Sequence, residues 1–188
     1  MEFLKLQKEE EKAWDEHVYK SNSGMAKKKI SIIGSGWVGT AIGKGFTGIG
    51  YEVIFYDVID KHLPNFTKNI NYAIENSDIS FISVPTPTAP NGIDLSYVKK
   101  ASENIGKALS SKDDYHLVVV KSTVVPETTE KVVIPILKKY SGKRARDDEI
   151  GVCMNPEFLT EISESWSKDE GYKKDFGSLV SCVVLKYK

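Results

Sequence analysis

Six residues constrain this chain more than any others: Gly34-Ser35-Gly36-Trp37-Val38-Gly39, set directly after the apolar run Ile30–Ile33 and directly before a helical pattern. In a strand–turn–helix context the spacing G-x-G-x-x-G gives each glycine a task. Gly34 allows a tight turn, Gly36 lets a ligand's phosphates approach the backbone, and Gly39 lets the helix lie close on the strand. Trp37 and Val38 fill the intervening positions at the helix mouth. The phosphates of a dinucleotide would rest there on unpaired N–H groups at the positive end of the helix. Asp57 closes the next apolar run, where an acidic side chain takes ribose hydroxyls. An acid at that point repels a 2′-phosphate and no arginine stands beside it, so NAD is expected rather than NADP. Lys61 is the nearby cation that argues the other way.

From Lys29 onward, short β-branched runs alternate with helical patterns, which is the sequence form of βαβ units. Strands are expected at Ile30–Ile33, Glu52–Tyr56, Ile79–Val84, Leu117–Lys121 and Gly151–Met154. Helices are expected at Trp37–Gly48, around Tyr72–Asn76, at Tyr97–Leu109 and at Thr128–Tyr140, with Ser141 to Glu149 a charged loop. The fold class that follows is α/β, a doubly wound parallel sheet of the Rossmann type. Residues 25–188 read as that single domain. Residues 1–24 read as a separate appendage, a short strand followed by an amphipathic helix that keeps Trp14 and Val18 on one face.

Composition closes off other classes. The 26 Lys and Arg balance the 26 Asp and Glu, and no basic block is interleaved with aromatics, so no nucleic-acid partner is expected. The longest purely aliphatic run, Leu117–Val120, is far too short to span a bilayer, so no membrane partner is expected either. Cys153 and Cys182 form neither a disulfide framework nor a metal-ligand spacing. With no apolar signal core at the N-terminus, a reducing, cytoplasmic setting is expected, and no metal.

Ligands of open α/β sheets gather beyond the carboxyl ends of the strands, so the loops there come next. Val84-Pro85-Thr86-Pro87 leads through Gly92 to Asp94 and Ser96, either of which can cap the following helix. Lys121-Ser122-Thr123 through Thr129 sets hydroxyls at a strand end, where they serve as caps or face a ligand. Asn155-Pro156-Glu157-Phe158-Leu159-Thr160-Glu161 places two carboxylates four apart, either solvated or placed to act as a base.

In order, the segments GSGWVGT (34–40), SVPTP (83–87), DLSYV (94–98), VVKSTVVPETT (119–129) and NPEFLTE (155–161) resemble the UDP-glucose/GDP-mannose dehydrogenase family. Enzymes of that family oxidise a sugar C6 alcohol to a carboxylate with two NAD per turnover, through a cysteine-bound intermediate. The resemblance implies a nucleotide-sugar substrate of the UDP-glucose class. It implies that Val84, Pro85, Thr86, Ser122, Thr123 and Glu161 line the cofactor site with the fingerprint residues. Thr123 and Glu157 become polar groups of the reaction centre, and Phe158 and Leu159 approach the sugar nucleotide.

The departures from the family pattern are as specific as the match. The stretch between Asp57 and Asp78 is shorter than usual and lacks a segment that builds an extra helix. Val125 and Glu127 replace the usual Pro and Gly. The family's Gly-Gly-x-Cys nucleophile and second sugar-binding domain are missing, and Cys182, in an apolar run without a neighbouring Lys or Asp, reads as a buried structural thiol. The expected function is the NAD-binding domain of a nucleotide-sugar dehydrogenase that does not complete catalysis alone, either a truncated form or a short family member, whose partner is a second copy or a chain carrying the missing half. The alternative is a stand-alone NAD-binding sensor or scaffold. A small 2-hydroxyacid or 3-hydroxyacid dehydrogenase ranks last, because the expected C-terminal helical domain is absent.

Overall fold

The computed structural model describes residues 28–90, 92–143 and 149–156. The expected appendage over 1–24 and the run containing Cys182 lie outside them. In chain order the elements are β1 (Ile30–Ile33), α1 (Trp37–Gly48), β2 (Val53–Tyr56), β3 (Phe66–Thr67), α2 (Ile70–Glu75), β4 (Ile79–Ile82), β5 (Thr88–Ala89), β6 (Gly92–Ile93), α3 (Ser96–Leu109), β7 (His116–Val120), a π-helical turn (Thr129–Val133), α4 (Ile134–Ser141) and β8 (Ile150–Met154).

Six strands form one sheet in the order β3-β2-β1-β4-β7-β8, and every pairing in it is parallel. The chain runs outward from β1 in one direction, then returns past it to β4 and runs outward in the other. Right-handed crossovers therefore put α1 on one face and α2, α3 and α4 on the opposite face. Two cores result. Ile33, Ile54, Ile74, Val98, Ile105, Val120 and Leu137 pack on the three-helix face. Ile30, Ile32, Phe55, Phe81, Val119 and Cys153 pack on the α1 face, joined by Ile42 and Phe46 of α1. Cys153 is buried there, on the face away from the α2–α4 core.

All five expected strands and four expected helices form, Ile30–Ile33 and Trp37–Gly48 with the expected bounds and the others with shifted ends. The run Ile79–Val84 stops pairing at Ile82, and Leu117–Lys121 pairs from His116 to Val120. Thr128–Tyr140 becomes a π turn followed by α4. Pro135, in the first turn of α4, has no N–H to return to the preceding turn, and the Ile134 N–H bonds back to the Thr129 carbonyl. Three short strands were not expected: β3, which pairs through Phe55–Phe66 and Tyr56–Thr67, and the β5–β6 hairpin. The connection from β2 to β3, residues 57–65, contains no helix, as the shortened sequence there implies. It turns sharply instead, with His62 and Asn65 at positive φ and the Asn65 amide donating to the Val53 carbonyl at 2.7 Å.

At the amino ends of the central strands, opposite the ligand side, a polar chain crosses the sheet. Ser31 Oγ lies 2.6 Å from Ser80 Oγ, Ser80 Oγ lies 2.7 Å from His116 Nε2, and Ser77 Oγ joins Ser31 at 2.9 Å. All four residues are buried, so each hydroxyl must find a partner within the protein. Lys112 donates to the carbonyls of Ile74 and Ser77, closing the carboxyl end of α2 with a cation.

Candidate functional site

At the carboxyl end of the sheet, where the chain changes direction between β1 and β4, a cavity of about 710 Å³ opens. Its walls include Gly34, Gly36, Trp37, Val38, Asp57 and Lys61 on one side, and Val84, Pro85, Thr86, Ser122 and Thr123 on the other. The structure thus brings the fingerprint, the acid of β2 and two of the three strand-end loops together. Gly39 is not in the wall. Glu157, Phe158, Leu159 and Glu161 lie outside the described residues.

The three fingerprint glycines divide by cause. Gly34 adopts φ +99°, and a Cβ there would collide with the Ser83 carbonyl. A Cβ on Gly39 would collide with the Gly34 carbonyl and lie 2.9 Å from the Ile32 side chain. The fold requires both. Gly36 has φ −73°, open to any residue, and a Cβ there would meet nothing within 4 Å. Neither strain nor packing explains this glycine. What it leaves clear is the space before the first turn of α1, whose N-cap supplies no side-chain hydrogen bond and whose first turn has no acidic residue. Those N–H groups and the helix dipole suit an anion, which is the fit that a pyrophosphate requires.

Asp57 is fixed by the backbone. One carboxylate oxygen accepts the Ser35 N–H at 3.0 Å and the other accepts the Ile59 N–H at 3.0 Å. Each oxygen keeps a lone pair for a further donor. Tyr56 beside it has its phenol pKa raised, first by burial and then by the Asp57 charge. Trp37 is 93% exposed at the cavity mouth.

On the far wall, Thr123 is exposed to the cavity, whereas the Ser122 hydroxyl is committed to backbone. It donates to the Val84 carbonyl at 2.7 Å and accepts the Val84 N–H at 2.9 Å, fastening the loop after β7 to the loop after β4. Neither Asp94 nor Ser96 is the N-cap of α3, which is Leu95; Asp94, one residue before it, accepts the Ser96 N–H at 2.8 Å. Lys121 also lines the cavity and was not singled out from the sequence. A lysine at a strand end ordinarily reads as solvated, and only the packing shows it to be 4% exposed.

The family model for the NAD-binding domain of the UDP-glucose/GDP-mannose dehydrogenase family matches residues 60–168. The UDP-glucose 6-dehydrogenase of Haloferax volcanii is 38% identical over 159 residues, covering 71% of this chain and 37% of that enzyme. The chain belongs to the UDP-glucose/GDP-mannose dehydrogenase family. The GDP-mannose 6-dehydrogenase of Azotobacter vinelandii is 35% identical over 161 residues, with the same coverages of 71% and 37%. Among solved structures, a ternary complex of the GDP-mannose dehydrogenase from Pseudomonas aeruginosa superposes with a TM-score of 0.66 at 36% identity, over 71% of this chain and 37% of that one. The chain therefore spans well under half the length of the relatives it matches. A model for the NAD-binding domain of D-isomer-specific 2-hydroxyacid dehydrogenases matches residues 3–104, the part that holds the fingerprint and Asp57. Both models describe NAD-binding domains, and the cofactor of this one is NAD. Among the described residues no cluster suits a metal ion, and no helix is long and apolar enough to cross a membrane.

Proposed function

We propose that this chain is the cofactor half of a nucleotide-sugar dehydrogenase acting on a substrate of the UDP-glucose class, whose C6 alcohol is oxidised to a carboxylate. The observation that carries the reading is the empty space at Gly36, a glycine that the fold does not need, facing an uncapped helix end. The α1 N–H groups would hold the pyrophosphate, and Asp57 would accept the adenosine ribose hydroxyls. The second nucleotide half then lies over Thr86 and Thr123. When bound, NAD supplies the hydride acceptor for an alcohol. Thr123 would orient that alcohol by hydrogen bonding, and Glu157 would complete the polar reaction centre, with Glu161 at the cofactor and Phe158 and Leu159 towards the sugar nucleotide. A reducing, cytoplasmic setting belongs to this proposal, supported by two thiols in no disulfide framework.

Conversion to the acid requires a second oxidation through a covalent thiol intermediate, and the cysteine in the described residues, Cys153, is buried in the α1-face core. The 188-residue chain, incubated by itself with UDP-glucose and NAD, is expected to bind NAD in calorimetry without steady acid formation. Failure to bind NAD would overturn the reading. Two NADH per sugar, with the acid found by mass spectrometry, would overturn the assignment as a half.

A further inference from the structure

Lys121 and Ser122 are consecutive residues at the end of β7, and their side chains reach in opposite directions across the sheet. Ser122 fastens the loop after β4, as described above. Lys121 Nζ reaches the two residues after β8, donating to Asn155 Oδ1 at 3.0 Å and to the Pro156 carbonyl at 3.2 Å. The parallel ladder between β7 and β8 ends where the Asn155 N–H meets the Val120 carbonyl at 3.0 Å. Pro156 has no N–H to extend it. The ammonium of Lys121 takes over as donor at the point where the backbone runs out of one. The residue is 4% exposed, and removing an ammonium from water costs several kcal/mol, a penalty that an amide bridging the same two acceptors would avoid. Lys121 nevertheless stands in the cavity wall beside Ser122 and Thr123.

We infer that Lys121 is a positioning residue that shapes the nicotinamide end of the cofactor pocket by tying the Ser122–Thr123 wall to the Asn155–Pro156 segment. The inference rests on the proposed dinucleotide site and adds a division within it. The adenosine half is served by Asp57 and the α1 end, whereas the Lys121 ammonium bonds the residues after β8. The other half faces the cavity wall after β4 and β7, which Ser122 fastens together and Lys121 ties back to the residues after β8.

The division can be measured by titrating the 188-residue chain with NAD and with ADP-ribose, which has the adenosine and pyrophosphate but no nicotinamide. Lys121→Met is expected to weaken NAD about tenfold, the loss of hydrogen bonds from a charged donor, while ADP-ribose binding stays within about twofold. Asn155→Ala, which leaves the lysine in place and removes one acceptor, should cause the same selective loss. The double variant should lose less than the sum of the two. Lys121→Arg, which keeps donors on a long stem, should recover part of the NAD affinity. Equal weakening of both ligands, or no weakening of either, overturns the positioning role while leaving the dinucleotide site standing. A wild-type chain that binds neither ligand overturns both.

Discussion

The Asp57 carboxylate accepts the Ser35 N–H at 3.0 Å, so the acid that ends β2 is hydrogen-bonded to the glycine turn that ends β1. One side chain thereby sets the distance between the glycine turn proposed to hold the phosphates and the acid proposed to hold the ribose. A dinucleotide bound on this frame meets a negative charge at its adenosine ribose. NAD is expected to bind more tightly than NADP, and Asp57→Asn should narrow that preference by about tenfold or more, since like-charge repulsion of the 2′-phosphate is removed. Calorimetric titration of both dinucleotides against both proteins checks it. Tighter NADP binding by the wild type would move the ribose away from Asp57.

Gly36 and Gly39 should respond to the same substitution in opposite ways. Gly36→Val places its side chain in open space, so the domain should fold within about 1 kcal/mol of wild-type stability, the scale of an N-cap change. NAD binding should be lost. Gly39→Val forces a side chain into the Gly34 carbonyl and the Ile32 methyl, and should cost about 3 kcal/mol or more. Urea unfolding followed by circular dichroism, with NAD titration of whatever folds, separates the two.

The buried imidazole makes stability depend on pH. Burial, and after it the charge of Lys112, push His116 down from 6.5 to about 3. Its Nδ1 has no hydrogen-bond partner among the described residues. Between these values the unfolded chain binds a proton that the folded chain refuses, so stability falls as pH drops below about 6.5. From pH 7 to pH 5 this amounts to about 2 kcal/mol. Burial alone would raise the Asp78 carboxyl. The Lys29 N–H and the charges of Lys28 and Lys112 hold it lower, and its contribution is lost only in stronger acid. His116→Gln should unfold with a shallower pH dependence than wild type over this range. Parallel pH profiles of the urea midpoint would refute the assignment.

Glu127 stands at φ +68°, a left-handed conformation, at one of the two positions where the sequence departs from the family's Pro and Gly. A residue with a Cβ pays about 1 kcal/mol there. Its ion pair with Lys131 at 2.7 Å is largely exposed and offsets little of that. Glu127→Gly is expected to be about 0.5 kcal/mol more stable, and Glu127→Val less stable by more than about 1 kcal/mol. Thermal unfolding of the two variants would show the opposite shifts.

Much of the ligand side was legible in the chain because its determinants are local. The strand Ile30–Ile33, the glycine turn and the helix from Trp37 are consecutive, and Asp57 follows at the end of the next apolar run. Alternation of β-branched and helical patterns likewise identified the class of fold, since strands buried on both faces must be apolar throughout. What the tertiary structure decided involves residues far apart in sequence. Ser122 reads as a cap or a ligand group until Val84 is seen beside it. Lys121 reads as a solvated strand end until Asn155 and Pro156 are seen to accept from its ammonium. Ser31 and His116 interrupt apolar runs without apparent reason until Ser80 connects them across β4. The two-residue β3 carries too few residues to show a period, and it forms because β2 offers an open edge at Phe55 and Tyr56. Hydrophobic pattern and turn chemistry act over a few residues, and so can be read from the chain alone. Satisfaction of buried polar groups acts between strands, and becomes visible only when the sheet has set its order.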